Sequence, residues 1–222
     1  MGDMPWRSLR ATGRLLTKRN LDLRVEGRGH LPESGPVIIA SRHFHHLFDG
    51  AAFFATIPRP FHPIVTVDWT TNIPKRRALG AACKAAGWPT VIRADAVGRQ
   101  ATASEATRHL RHAIDDSVAF LKAGEIVLIF PEGYPNIDPT YTPKTGEDDF
   151  LPFQTGFVRI AEIAARRGVA DLPIVPAGFE YRRGPKWDVT LRFGAPIFLG
   201  APREETRARV ENAVRALSGL PV

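Results

Sequence analysis

The chain has 222 residues, 44% hydrophobic and 24% charged, with a formal net charge of +7. This is the balance of a folded protein with a sizeable core, and the length suits one domain with an appendage. No apolar run nears the ~18–20 residues that span a bilayer, which argues against a helical channel or transporter. Residues 1–25 lack an apolar stretch of the secretory type. The single cysteine, Cys83, excludes an internal disulfide or a multi-cysteine metal centre. The expected compartment is the cytoplasm. Excess positive charge favours an anionic partner. No block of like charges, helix-turn-helix, zinc finger or RNP pattern accompanies it, so nucleic acid is not the expected one.

In chain order, residues 6–20 come first as a basic amphipathic helix. Trp6, Leu9, Gly13 and Leu16 share one face, beside a stripe of Arg7, Arg10, Arg14 and Lys18. Such a helix suits an anionic membrane surface, or it docks its apolar face on the domain. We read residues 1–24 as this N-terminal segment and 25–222 as the main domain. Strands are expected at 36–41, 63–67, 89–93, 125–130, 173–178 and 187–193, which are Val/Ile-rich runs bounded by Pro or Gly. Helices are expected at 74–86, 102–121, 156–167 and 202–217. In the second of these, Ala106, Leu110, Ala113, Ser117 and Leu121 define the apolar face, and Cys83 reads as a small packing residue of the first. The pattern predicts an α/β fold with a mixed, largely parallel sheet flanked by helices. Residues 133–152, with four prolines, form a long loop that reads as a site wall or lid.

The chemistry concentrates at 41–50, Ser-Arg-His-Phe-His-His-Leu-Phe-Asp-Gly. This turn leaves a buried strand and enters an apolar helix, where open α/β folds bind ligands. A histidine oriented by a carboxylate makes a general base, and His43 with Asp49 fits that role. Two other readings stay open here: a metal site from His43, His45, His46 and Asp49, or Asp49 as a helix N-cap among polar turn residues.

The chain resembles the 1-acylglycerol-3-phosphate acyltransferase-like (PlsC-like) glycerolipid acyltransferases from about Val25 to Ile197. Arg42-His43 with Asp49 resembles the first motif, Asn-His-x4-Asp, with one extra residue in the gap. Arg93, after Gly87-Trp88-Pro89-Thr90-Val91-Ile92, resembles the second. Phe130-Pro131-Glu132-Gly133, followed by Phe153 and Gly156, resembles the third. Pro173-Ile174-Val175-Pro176 resembles the fourth. The resemblance implies a fatty acyl thioester donor on coenzyme A or acyl carrier protein, a lysolipid-type acceptor, no cofactor and no metal. It casts His43 and Asp49 as catalytic, and Arg93, Glu132 and Gly133 as substrate-binding. The basic amphipathic helix, with the net charge of +7 and no spanning run, adds the expectation of a protein peripheral on the membrane surface. A hydrolase using the same dyad is the alternative. Tyr134-Pro135 replaces the family's Thr-Arg, and Gln154 a frequent lysine, so two phosphate-binding cations are missing. With them missing, lysophosphatidate is not the expected best acceptor.

Overall fold

The computed structural model describes residues 3–68, 70, 72–93, 95 and 101–222. Its elements are α1 (Asp3–Asn20), β1 (Leu21–Glu26), a short 3-10 turn (Arg28–His30), β2 (Val37–Ser41), α2 (Phe48–Thr56), β3 (Phe61–Pro63), β4 (Val65–Thr66), α3 (Ile73–Ala85), β5 (Thr90–Val91), α4 (Ala103–Lys122), β6 (Ile126–Ile129), α5 (Gly156–Arg166), β7 (Ile174–Arg182), β8 (Trp187–Phe193) and α6 (Arg203–Leu217). Six strands form one sheet in the order β1-β8-β7-β2-β6-β3. The neighbours β7-β2, β2-β6 and β6-β3 are parallel, β8 is antiparallel to β7, and β1 is parallel to β8. The predicted fold is the observed one: a mixed, mostly parallel sheet with helices on both faces.

Side-chain alternation along β2 divides the core. Val37 and Ile39 face a cluster with Phe53 and Phe54 of α2, Trp6 of α1 and Phe179 of β7. Ile38 and Ala40 face the other cluster, with Val118 and Leu121 of α4, Phe157 and Ala161 of α5, and Val210 and Val214 of α6. All five residues of β2 are buried, as a central parallel strand covered on both faces requires. That burial anchors the turn after β2, where the histidines lie.

Several expectations need correction. The run 63–67 is two short strands: β3 pairs with β6, and after Ile64 the chain shifts to pair β4 with β5 in a separate ribbon. Leu110 is exposed rather than on the buried face of α4, which is carried by Ala113, Ser117, Val118 and Leu121. β1 is a strand that the sequence reading does not contain, and residue 24, the end of the N-terminal segment, lies inside it.

The apolar face of α1 lies against the domain. Trp6 is buried, its ring 5.5 Å from that of Phe54 and 5.4 Å from that of Phe61. Gly13 permits the approach, because a Cβ there would stand 2.5 Å from the Phe54 Cβ. Trp6 is therefore committed to the core and is not free to enter a bilayer. Arg7, Arg14 and Lys18 remain exposed, as does Leu15. No helix among the described residues is long and apolar enough to cross a membrane.

Candidate active site

His43 follows the carboxyl end of β2, and Asp49 occupies the first turn of α2. The intervening residues close into a tight turn in which the Asp49 amide donates to the His45 carbonyl at 3.3 Å. His43 Nδ1 lies 2.9 Å from Asp49 Oδ2. The same oxygen accepts the amides of Phe44 at 2.7 Å and His45 at 3.0 Å, while Oδ1 accepts the Tyr181 hydroxyl at 2.7 Å. Asp49 is fully buried and bonded to four donors, so the carboxylate is held in one orientation. It is not the N-cap of α2: Leu47 holds that position without a side-chain bond.

With Nδ1–H donated to Asp49, the neutral His43 ring carries its lone pair on Nε2. The ring stacks on Phe130 with centroids 4.2 Å apart, and its side chain is 17% exposed. One face is thus covered while the ring keeps access to solvent. This is the geometry of a base able to take a proton from an approaching hydroxyl.

His45 and His46 do not share this arrangement. His45 Nδ1 accepts the amides of Leu47 at 3.2 Å and Phe48 at 3.4 Å. The exposed His46 directs Nδ1 to the Ile137 carbonyl. No group of three or more His, Cys, Asp or Glu side chains among the described residues is placed to hold a metal ion.

Burial pushes the His45 imidazole down from 6.5 to about 4, with Asp49 opposing the shift. The folded chain therefore refuses a proton that the unfolded chain takes up below pH 6.5. Stability contributed by neutral His45 is present above that pH and falls as pH drops toward 4, by on the order of 3 kcal/mol. His45→Asn keeps an acceptor without the titration. Its stability relative to wild type, from urea unfolding at successive pH values, should rise between pH 7 and pH 4. Parallel stability curves would contradict the assignment.

Glu132 and Gly133 follow the end of β6, beside His43. Glu132 is buried; Oε1 accepts the His43 amide at 2.8 Å, and Oε2 accepts the Leu151 amide at 2.9 Å and meets Lys144 Nζ at 2.6 Å. Lys144 also donates to the His43 carbonyl and to Asn136 Oδ1, each at 3.0 Å. Burial pushes the Lys144 ammonium down, and Glu132 counters that. The 133–152 loop thus lies over the histidine turn, with the Ile137 amide donating to the Phe44 carbonyl at 2.8 Å.

Arg93 follows β5 and is also engaged. Its Nε donates to buried Asp68 at 2.9 Å, Nη1 reaches the Gly133 carbonyl at 3.4 Å, and the guanidinium lies 3.9 Å over the Tyr134 ring. Gly133 needs its φ of +77° to make this turn, a conformation glycine adopts without strain. Tyr134 donates to Asp95, and burial pushes its hydroxyl pKa up. The five residues singled out from sequence therefore form two linked groups, His43–Asp49–Glu132 and Arg93–Gly133. Tyr181, Lys144 and Asp68 complete them.

A site at the carboxyl ends of β2 and β6 of a mixed α/β sheet, joined by Arg93 after β5 of the separate ribbon, narrows the class, and the comparisons with known proteins agree. A family model described as Acyltransferase matches residues 22–180, and the chain belongs to that family. Its fold is similar to that of PlsC, a 1-acyl-sn-glycerophosphate (LPA) acyltransferase from Thermotoga maritima. The TM-score is 0.61 at 18% identity, covering 95% of this chain and 77% of that one. No curated protein matches the sequence.

Proposed function

We propose that the protein transfers a fatty acyl group from an acyl thioester, on coenzyme A or acyl carrier protein, to a hydroxyl of a lysolipid-type glycerolipid acceptor. The observation that carries this reading is the His43–Asp49 contact at 2.9 Å, which leaves Nε2 without a hydrogen-bond partner among the described residues, on a partly exposed ring. Nε2 takes the hydroxyl proton as the oxygen attacks the thioester carbonyl. Asp49 stabilises the imidazolium, and the thiol leaves with a proton returned through His43. Such a base contributes ~10²–10⁴-fold. No cofactor or covalent acyl-enzyme enters the scheme. Purified protein with labelled acyl-CoA, with and without a lysolipid panel, tests it. Label in the lipid is expected; free fatty acid alone would mark a hydrolase.

The acceptor head group follows from what the cations already hold. A phosphomonoester wants several free donors. Arg93 is paired with Asp68, Lys144 with Glu132, Arg182 with Glu180 and Arg183 with Glu147. Asp138, Asp148 and Asp149 add negative charge to the neighbouring loop. A zwitterionic lysophospholipid or neutral hydroxylated lipid should therefore show a higher kcat/KM than lysophosphatidate. A clear preference for lysophosphatidate, lost in Arg183→Ala, would contradict this.

The exposed cations of α1 support peripheral attachment to an anionic membrane, on its cytoplasmic face. Each contributes about 1 kcal/mol near such a surface. Replacing Arg7, Arg14 and Lys18 together with alanine should weaken binding to phosphatidylglycerol vesicles about a hundred-fold at low salt, with the fold retained. Unchanged vesicle binding by this variant would remove α1 from the account.

A further inference from the structure

The ribbon strands β4 and β5 run parallel, and the chain leaves them through Asp68 and Arg93 toward α3 and α4. Between these helices lies a cavity of about 320 Å³, lined by Arg76, Arg77, Arg108, Glu105 and the hydroxyls of Thr102 and Ser104. The same two helices also pack a small separate core, with Leu79 of α3 and Ala106 of α4 against buried Val67 and Ile92. Among the described lining residues Glu105 is the sole acidic side chain, and it is bound to Arg76 at 3.0 Å. Three arginines against one glutamate leave a formal excess of +2. Arg77 and Arg108 are exposed and form no ion pair among the described residues. Some other surface arginines are paired, as Arg167 is with Asp115, Arg192 with Glu26 and Arg203 with Glu162, while others such as Arg111, Arg159 and Arg209 are exposed without an ion pair among the described residues; Arg77 and Arg108 differ from these in lining one cavity together. Neighbouring unpaired guanidinium groups around a cavity repel one another, and a polyanion binding there reverses that cost.

We propose that this cavity is a subsite for a phosphate ester, distinct from Arg93, and that during turnover the ester belongs to the phosphorylated carrier of the acyl donor. The carrier assignment rests on the acyl-transfer reading above. A coenzyme A-type carrier holds its phosphates at the end of a long pantetheine arm, remote from the thioester. Its phosphate site therefore lies off to one side of the base. Among the described residues no lining residue bonds to His43, Asp49 or Glu132, while the lining helices α3 and α4 follow β4 and β5, and Arg93 lies between β5 and α4. A lysophosphatidate phosphate, in contrast, sits within a few bonds of its own reacting hydroxyl.

Calorimetric titration of the full chain with coenzyme A, pantetheine and monomeric lysophosphatidate tests the subsite without turnover. The double variant Arg77→Ala/Arg108→Ala removes exposed, unpaired groups, so the fold should persist. It should weaken coenzyme A binding at least ten-fold and leave pantetheine unchanged. Arg111→Ala/Lys122→Ala removes the same charge from α4 outside the cavity and should cost less than two-fold. If the double variant weakens lysophosphatidate instead, the phosphate subsite stands with the lipid as its source. Unchanged affinity for both ligands, or an equal loss in the Arg111/Lys122 control, overturns the proposal. Loss of acyl transfer with coenzyme A binding still dependent on Arg77 and Arg108 would refute the reaction and keep the subsite.

Discussion

His43→Ala should lower kcat for acyl transfer by ~10²–10⁴-fold while leaving the thermal unfolding midpoint nearly unchanged. The reason is local. The ring is partly exposed and contributes its Nδ1 contact to Asp49, but Asp49 keeps the Phe44 and His45 amides and the Tyr181 hydroxyl. Removing the imidazole therefore removes the base without emptying the carboxylate of partners. Asp49→Asn should behave differently. An amide oxygen at Oδ2 still accepts the backbone donors, but an NH₂ at Oδ1 faces the Tyr181 hydroxyl. The His43 tautomer is then held less firmly, so activity should fall together with a modest loss of stability. His45→Asn and His46→Ala should retain most activity, since neither ring faces Asp49. Steady-state rates with a fixed donor and acceptor check the series. An active His43→Ala beside an inactive His46→Ala would place the base elsewhere.

Lys144→Met should be the most destabilising substitution near the site, at roughly 3–5 kcal/mol. Both side chains of the Lys144–Glu132 pair are fully buried, with the charged atoms 2.6 Å apart. Removing the lysine strands a buried carboxylate and also releases the His43 carbonyl and Asn136. The double variant Lys144→Met/Glu132→Gln removes both charges of this pair and should recover much of the loss. Denaturant unfolding of the single and double variants measures this coupling. Glutamine offers one acceptor oxygen where Glu132 accepts both the His43 and Leu151 amides, so the turn and loop are no longer held together and activity in the double variant should stay low even where stability returns. Recovery of both would mean that Glu132 only braces the loop.

The large elements were readable in the sequence because burial on both faces writes continuous apolar runs, as in β2 and β6, and Pro or Gly marks their ends. β1 was not readable. Its Leu-Asp-Leu-Arg-Val-Glu alternates apolar and charged residues over only six positions at the sheet edge, and its identity as a strand comes from pairing with the distant β8. Leu110 fits the helical period of α4, but the neighbours of α4 do not extend far enough to cover it. The α1 face was readable as apolar, whereas its destination depends on Gly13 meeting Phe54, a tertiary fact.

In the site, His43 and Asp49 were accessible because strand, turn and helix place them within one local unit. Lys144 lies 101 residues from the His43 carbonyl that it bonds, and Tyr181 lies 132 from Asp49. Lys144 lies in an irregular loop with no period to assign its direction. Tyr181 lies near the end of β7, where an aromatic residue reads as ordinary strand packing. The saturation of Arg93 and Glu132 by Asp68 and Lys144 was equally out of reach, since ion pairing follows from the assembled fold.

Rapid-quench single turnover of labelled acyl-CoA with the preferred acceptor tests direct transfer assisted by His43. The account predicts that label passes from donor to acceptor lipid with no protein-bound acyl intermediate, and that this step slows at least a hundred-fold in His43→Ala. Label accumulating on the protein before it reaches the lipid, or an unslowed transfer step in His43→Ala, would contradict it.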